Sequence, residues 1–169
     1  MKFKAYYLAA AATLALTACG GGGDDGPGDP ADVPLAQAPA LVQQYAALFN
    51  NARAQSRTCG TVPAPAVQPL TKWNPKMQQA AQKHADDMAT NNFFSHTGSD
   101  GSDATSRNLA FGYQGLTTVE NLVMGPGGPD TKVQSWLDSP GHCLGVMHDV
   151  SRTVALAQSG KYVVMVFGD

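Results

Sequence analysis

An α+β layered domain, three or four helices over a small antiparallel sheet, is what the sequence predicts, on two observations. Apolar residues recur at helical spacing in Leu41, Tyr45, Leu48 and Ala52, and again in Met77, Ala81, Ala85 and Met88. Near the far end, residues 153–158 and 161–167 form two strand-like runs, and Ser159-Gly160 between them suits a hairpin turn.

The elements follow in order. Residues 40–57 are expected to form a first helix with one apolar face. Residues 59–70, with three prolines, read as an irregular connector. Trp73-Asn74-Pro75 starts a second helix, because Asn74 can accept from the orphan amides of the first turn and Pro75 lacks the amide that the first turn leaves unused. That helix should run to about Ala89, with Asn91-Asn92 ending it. The polar turn T-G-S-D-G-S-D follows, then a short helix around residues 103–111. Gly125 to Pro129 is a loop, and a helix from Asp130 must stop near Ser139, since Pro140 excludes its predecessor from helical geometry. Residues 142–147 leave room for one more turn. No internal repeat is evident.

The chain has a different character before residue 40. Lys2 and Lys4 precede an apolar run, Ala5 to Leu16, too short to span a membrane and followed by small residues suited to signal cleavage. Leu16-Thr17-Ala18-Cys19 resembles the lipobox of bacterial lipoproteins, in which the cysteine becomes the acylated first residue; simple secretion with cleavage near Ala18 is the alternative. The resemblance implies residues 1–18 as signal peptide and Cys19 as the lipidation site, palmitate included, with Gly20 after it pointing to the outer membrane. Residues 19–39, rich in glycine, proline and aspartate, carry too little apolar mass to repay ordering and are expected to be a tether. The domain would then occupy residues 40–169.

Without Lys2 and Lys4 the chain keeps nine basic residues against thirteen acidic ones, a net charge of about −4. No basic patch interleaves with aromatics, which argues against nucleic acid as a partner. Nothing demands more than a monomer. With Cys19 assigned, Cys59 and Cys143 remain; in an oxidising compartment they are expected to form a disulfide, with two buried thiols as the alternative. The loop closed would contribute roughly 4 kcal/mol in the chain-entropy treatment.

The chain contains twelve aspartates and a single glutamate, Glu120, in the otherwise neutral T-T-V-E-N-L. His96 and His142 lie beside turns, His84 falls within a helix as a core or surface residue, and His148 reads as a loop residue. Two imidazoles and one carboxylate are a zinc-ligand set with a fourth position for water. The same trio can instead form a proton-holding network. H-E-x-x-H and G-x-S-x-G do not occur.

In their order and spacing, Asn50-x-x-Arg53, Leu70-x-x-Trp73-Asn74-Pro75, the A-x-x-H-A helix ending in Met88, Phe94-Ser95-His96-Thr97-Gly98, Glu120-Asn121, Trp136-x-x-Ser139-Pro140-Gly141-His142 and Val166-Phe167-Gly168 resemble the CAP superfamily. That group comprises cysteine-rich secretory proteins, antigen 5, plant pathogenesis-related proteins and bacterial SCP-like proteins. The resemblance covers about residues 41–168. It implies a three-layer α-β-α sandwich, a cleft mapping to His96, Glu120 and His142, and a Cys59–Cys143 bridge. Asp138 is the nearest carboxylate to the second glutamate of animal and plant members. Val119 replaces the glycine of the usual G-E-N, Gly145 replaces an asparagine, and Tyr162-Val163-Val164-Met165 replaces Y-W-x-Q. If position 119 required a positive φ, a valine there would be strained.

The functions implied fall into three classes. The cleft serves as a binding module for a divalent metal, a lipid or a cell-envelope component, with zinc as the cofactor to test. Alternatively Glu120 and a histidine form a hydrolase, with or without metal. In the third reading the protein is structural and the cleft a relict.

Overall fold

In the computed structural model, residues 28–169 are described; the expected signal peptide, the expected lipidation site Cys19 and the first part of the expected tether lie outside them. The chain begins with β1 (Val33–Pro34), one 3-10 turn and α1 (Ala40–Arg53). A hairpin follows, β2 (Arg57–Cys59) and β3 (Val62–Ala64), then β4 (Lys72–Trp73) and α2 (Pro75–Asn91). After α3 (Ala104–Ala110) come β5 (Thr117–Met124), α4 (Pro129–Asp138) and α5 (Pro140–Val146). The last hairpin is β6 (Thr153–Ser159) and β7 (Tyr162–Gly168).

The main sheet has the order β1-β4-β6-β7-β5 and is antiparallel except for β4 beside β6. Its central strands are buried on both faces, and alternate residues serve different layers. On one side Val154, Leu156, Val163, Met165 and Phe167 pack with Tyr45, Phe49 and Trp136. On the other, Ala155, Ala157, Val164 and Val166 pack against Met77, Ala81, Ala85 and Met88 of α2. Small alanines in β6 let α2 approach closely, while the opposite face is filled by aromatic rings. The α-β-α sandwich is thus present.

Most predicted elements are found, with several differences. Asn74 caps α2 by accepting from the amides of Lys76 and Met77 at 2.9 and 3.2 Å. Asn92 closes the same helix in the left-handed conformation, φ 49°. Helix α1 ends at Arg53 rather than Arg57, because Arg53 turns inward and donates to the carbonyls of Gln68, Val146, His148 and Ser151. The connector after Cys59 contains most of a short hairpin, and β5 is a strand that no sequence signal announces.

The expected tether also ends earlier than Pro39. Val33 and Pro34 pair with Trp73 and Lys72. Asp29 is buried and accepts from Lys76 Nζ and from the amides of Ala31 and Gln114. Asp32 accepts from Asn74 Nδ2 at 2.6 Å and Thr153 Oγ1 at 3.1 Å. Charge-assisted hydrogen bonds, rather than apolar burial, hold this strap, which is why its composition reads as unfolded.

Candidate functional site

Glu120 and Asn121 are neighbours on β5, an edge strand of the sheet, and the strand period sends them to opposite layers. Glu120 lies opposite Val166, and Asn121 opposite Met165. Asn121 Nδ2 donates to the His142 carbonyl at 3.0 Å and so fastens the start of α5. Glu120 faces the layer of α2 and α3, where its side chain is 5% exposed.

Both oxygens of this carboxylate are taken. Arg107 Nη2 donates to Oε2 at 2.5 Å, and His96 Nδ1 lies 2.8 Å from Oε1. Arg107, 3% exposed, also donates through Nη1 to the carbonyls of Ser102 and His96, at 2.8 and 3.1 Å. One guanidinium therefore holds the carboxylate and the backbone of its imidazole partner together. Asp103 caps α3, accepting from the Ser106 amide at 2.7 Å, and so sets the helix from which Arg107 projects. Below the same loop, buried His84 donates from Nε2 to the Ser95 carbonyl at 2.9 Å, which assigns it to the core.

The His96 ring is 59% exposed. Because a carboxylate only accepts, Nδ1 carries the proton in the His96–Glu120 bond, and Nε2 is left for solvent or ligand. The Glu120 hydrogen bond raises the His96 pKa above 6.5, outweighing partial burial. His142 is shifted the other way, first by burial and then by the charge of His96. His84 is lowered as well, by burial and then by Arg107.

The three sequence candidates meet unequally: His96 and Glu120 are in direct contact, whereas His142 couples to His96 electrostatically and is fixed through its carbonyl. The zinc reading is corrected. Among the described residues no group of three or more His, Cys, Asp or Glu side chains is arranged to hold a metal ion. Arg107 supplies the positive charge beside Glu120, and the second carboxylate oxygen is spent on His96. Sequence reasoning does not reach Arg107; the only signal for it is an arginine on a short, well-capped helix.

Cys59 and Cys143 form the expected disulfide, with Cα atoms 5.5 Å apart. It joins the β2–β3 hairpin to α5 one residue beyond His142. Val119 lies in extended strand opposite Phe167 and does not have a positive φ, so the strain considered for this position is absent. A groove of about 860 Å³ lies elsewhere; none of His96, Glu120 and His142 lines it.

A disulfide-stapled α-β-α sandwich with a carboxylate–imidazole pair at its sheet edge defines the class. The chain matches the Cysteine-rich secretory protein family over residues 46–166. It belongs to that CAP family. Its fold is similar to an extracellular protein containing an SCP domain from Bacillus anthracis, with a TM-score of 0.62 and 21% identity over 75% of this chain. The match spans 39% of that longer protein. It is also similar to an outer surface protein from Borrelia burgdorferi, with a TM-score of 0.56 and 17% identity over 75% of this chain and 87% of that one. No curated protein matches the chain.

Proposed function

We propose that this protein is an exported, lipid-anchored binding module whose cleft, bordered by His96, Glu120 and His142, takes an acidic group of a lipid or other cell-envelope component. The observation that carries the reading is the orientation of His96: Nδ1 is held by buried Glu120, and the exposed ring keeps Nε2 for a ligand. Arg107 offsets the charge of Glu120, so protonation of His96 leaves the cleft with one net positive charge and turns Nε2 into a donor. The Cys59–Cys143 bridge suits an oxidising compartment, and Cys19 supplies the anchor in this reading.

The test is lipid capture. Purified protein exposed to an envelope lipid extract, then examined by native mass spectrometry at pH 6 and pH 8, should carry an acidic lipid preferentially at pH 6. His96→Ala should abolish the preference. Absence of any retained lipid at either pH would overturn the reading.

The same pair supports a second reading, a Glu/His-dependent hydrolase, because neutral His96 presents a basic Nε2 backed by a carboxylate. Engagement of both Glu120 oxygens favours Glu120 as an orienting group over direct activation of water. Ester or amide turnover lost in both His96→Ala and Glu120→Ala would favour this reading over binding.

A further inference from the structure

Gly28 enters the fold beside a second feature. A Cβ built on it would stand 3.2 Å from Lys72 Nζ and 3.7 Å from the Asp169 carbonyl oxygen. Asp169 lines the 860 Å³ groove together with Leu116, Asp149, Val150 and Arg152. The Leu116 amide donates to Asp169 Oδ1 at 2.8 Å, which holds that leucine at the groove's rim. Leu116 is 59% exposed and Val150 46%. Single exposed apolar residues are ordinary on any surface. These two share one groove at the place where the chain enters the domain.

That place is fixed in the fold. Asp29 and Asp32 strap the first described residues to Lys76, Gln114, Asn74 and Thr153, so the entry point cannot swing over the surface. Eight residues lie between Cys19 and Gly28, nine steps along the chain with a reach of at most about 30 Å even fully extended. An anchor at Cys19 therefore keeps the groove end within that distance of the bilayer and raises its effective concentration there. The groove and the entry point beside it carry both signs, Lys72 and Arg152 against Asp32, Asp149 and Asp169, a mixed and slightly acidic set that complements a zwitterionic headgroup layer better than an anionic one.

We propose that the groove end, with Leu116 and Val150 leading, docks onto the zwitterionic phospholipid surface that holds the anchor. This rests on the Cys19 anchor proposed above. The domain would then have a set orientation on the membrane instead of tumbling on a leash.

The experiment uses the full chain, made with its signal in a bacterial host and reconstituted into phosphatidylethanolamine–phosphatidylcholine vesicles. Backbone hydrogen exchange is compared with the same protein in detergent, and the intact mass reports acylation independently. Roughly tenfold slower exchange in the segments around Leu116 and Val150 is expected in vesicles. The Leu116→Ser, Val150→Ser double variant, altered only at exposed positions, should lose that protection while its core protection stays unchanged. An acylated chain whose exchange is the same in vesicles and detergent overturns the docking alone. An unacylated Cys19 overturns the anchor and the docking with it.

Discussion

Val119 and Gly145 occupy one another's space: a Cβ on Gly145 would stand 2.7 Å from Val119 Cγ1 and 3.0 Å from Asn121 Oδ1. The two departures from the family pattern, a valine for a glycine and a glycine for an asparagine, thus lie against each other between β5 and α5. The valine fills what the missing asparagine side chain vacates, so neither change need disable the cleft.

Gly145→Ala should accordingly destabilise the protein by about 1–2 kcal/mol, overpacking outweighing the gain in helix propensity. In a Val119→Ala background the same change should cost less, because only the close approach to Asn121 then remains. Urea unfolding of the four proteins measures a coupling expected to be about 0.5–3 kcal/mol. Additive effects would show that the two positions do not communicate.

Arg107→Ala removes one partner of a buried ion pair and leaves the Ser102 and His96 carbonyls without their donor. A loss of roughly 3–5 kcal/mol is expected. Arg107→Lys should recover only part of it, because a single ammonium cannot reproduce the guanidinium fork that reaches both the carboxylate and the backbone. Chemical denaturation curves provide the check.

The histidines should titrate on opposite sides of the ordinary value. His96 is raised, so the stability it contributes is fully present below pH 6.5 and is lost as pH rises through its folded pKa. His84 and His142 are lowered; their contribution is present above pH 6.5 and is lost as pH falls through their folded values. Ring-proton NMR should show one imidazole titrating high and these two low. Glu120→Gln should return His96 toward its ordinary value, and a high-titrating His96 surviving that change would refute the assignment of the cause.

Replacing Cys59 and Cys143 together by serine should cost about 2–5 kcal/mol. It should also disturb the His142 ring resonance more than that of His96, since the bridge holds α5 and not the loop before α3. Reduction of the natural protein should reproduce the shift, and a resonance indifferent to reduction would detach His142 from the bridge.

Much of the fold is legible in the sequence because its signals are local. Asn74 and Pro75 announce α2 by hydrogen-bonding chemistry that needs no tertiary context, and the β6–β7 hairpin shows itself through two apolar runs around a glycine turn. Strand β5 is illegible for the opposite reason. Thr117, Thr118, Glu120 and Asn121 interrupt any apolar alternation, because an edge strand that carries a site spends its residues on Ser151, Arg107, His96 and the His142 carbonyl. The strap at Asp29 is hidden likewise: its partners lie far along the chain, and composition alone matches a linker.

The candidate site is half visible. The single glutamate and the two turn histidines draw notice by rarity and position, but composition cannot show that a guanidinium takes the place beside the carboxylate where a metal would sit. Arg107 is seen only once α3 is docked.

The polar turn around Ser99 to Gly101 is exposed, and it falls between the two halves of the disulfide in sequence. A protease that cuts there would produce two fragments, one holding Cys59 and the other Cys143, still joined covalently. A nick in this turn would leave His96 and Glu120, then on separate fragments, tied to one molecule through Cys59 and Cys143, and only reduction would let them part.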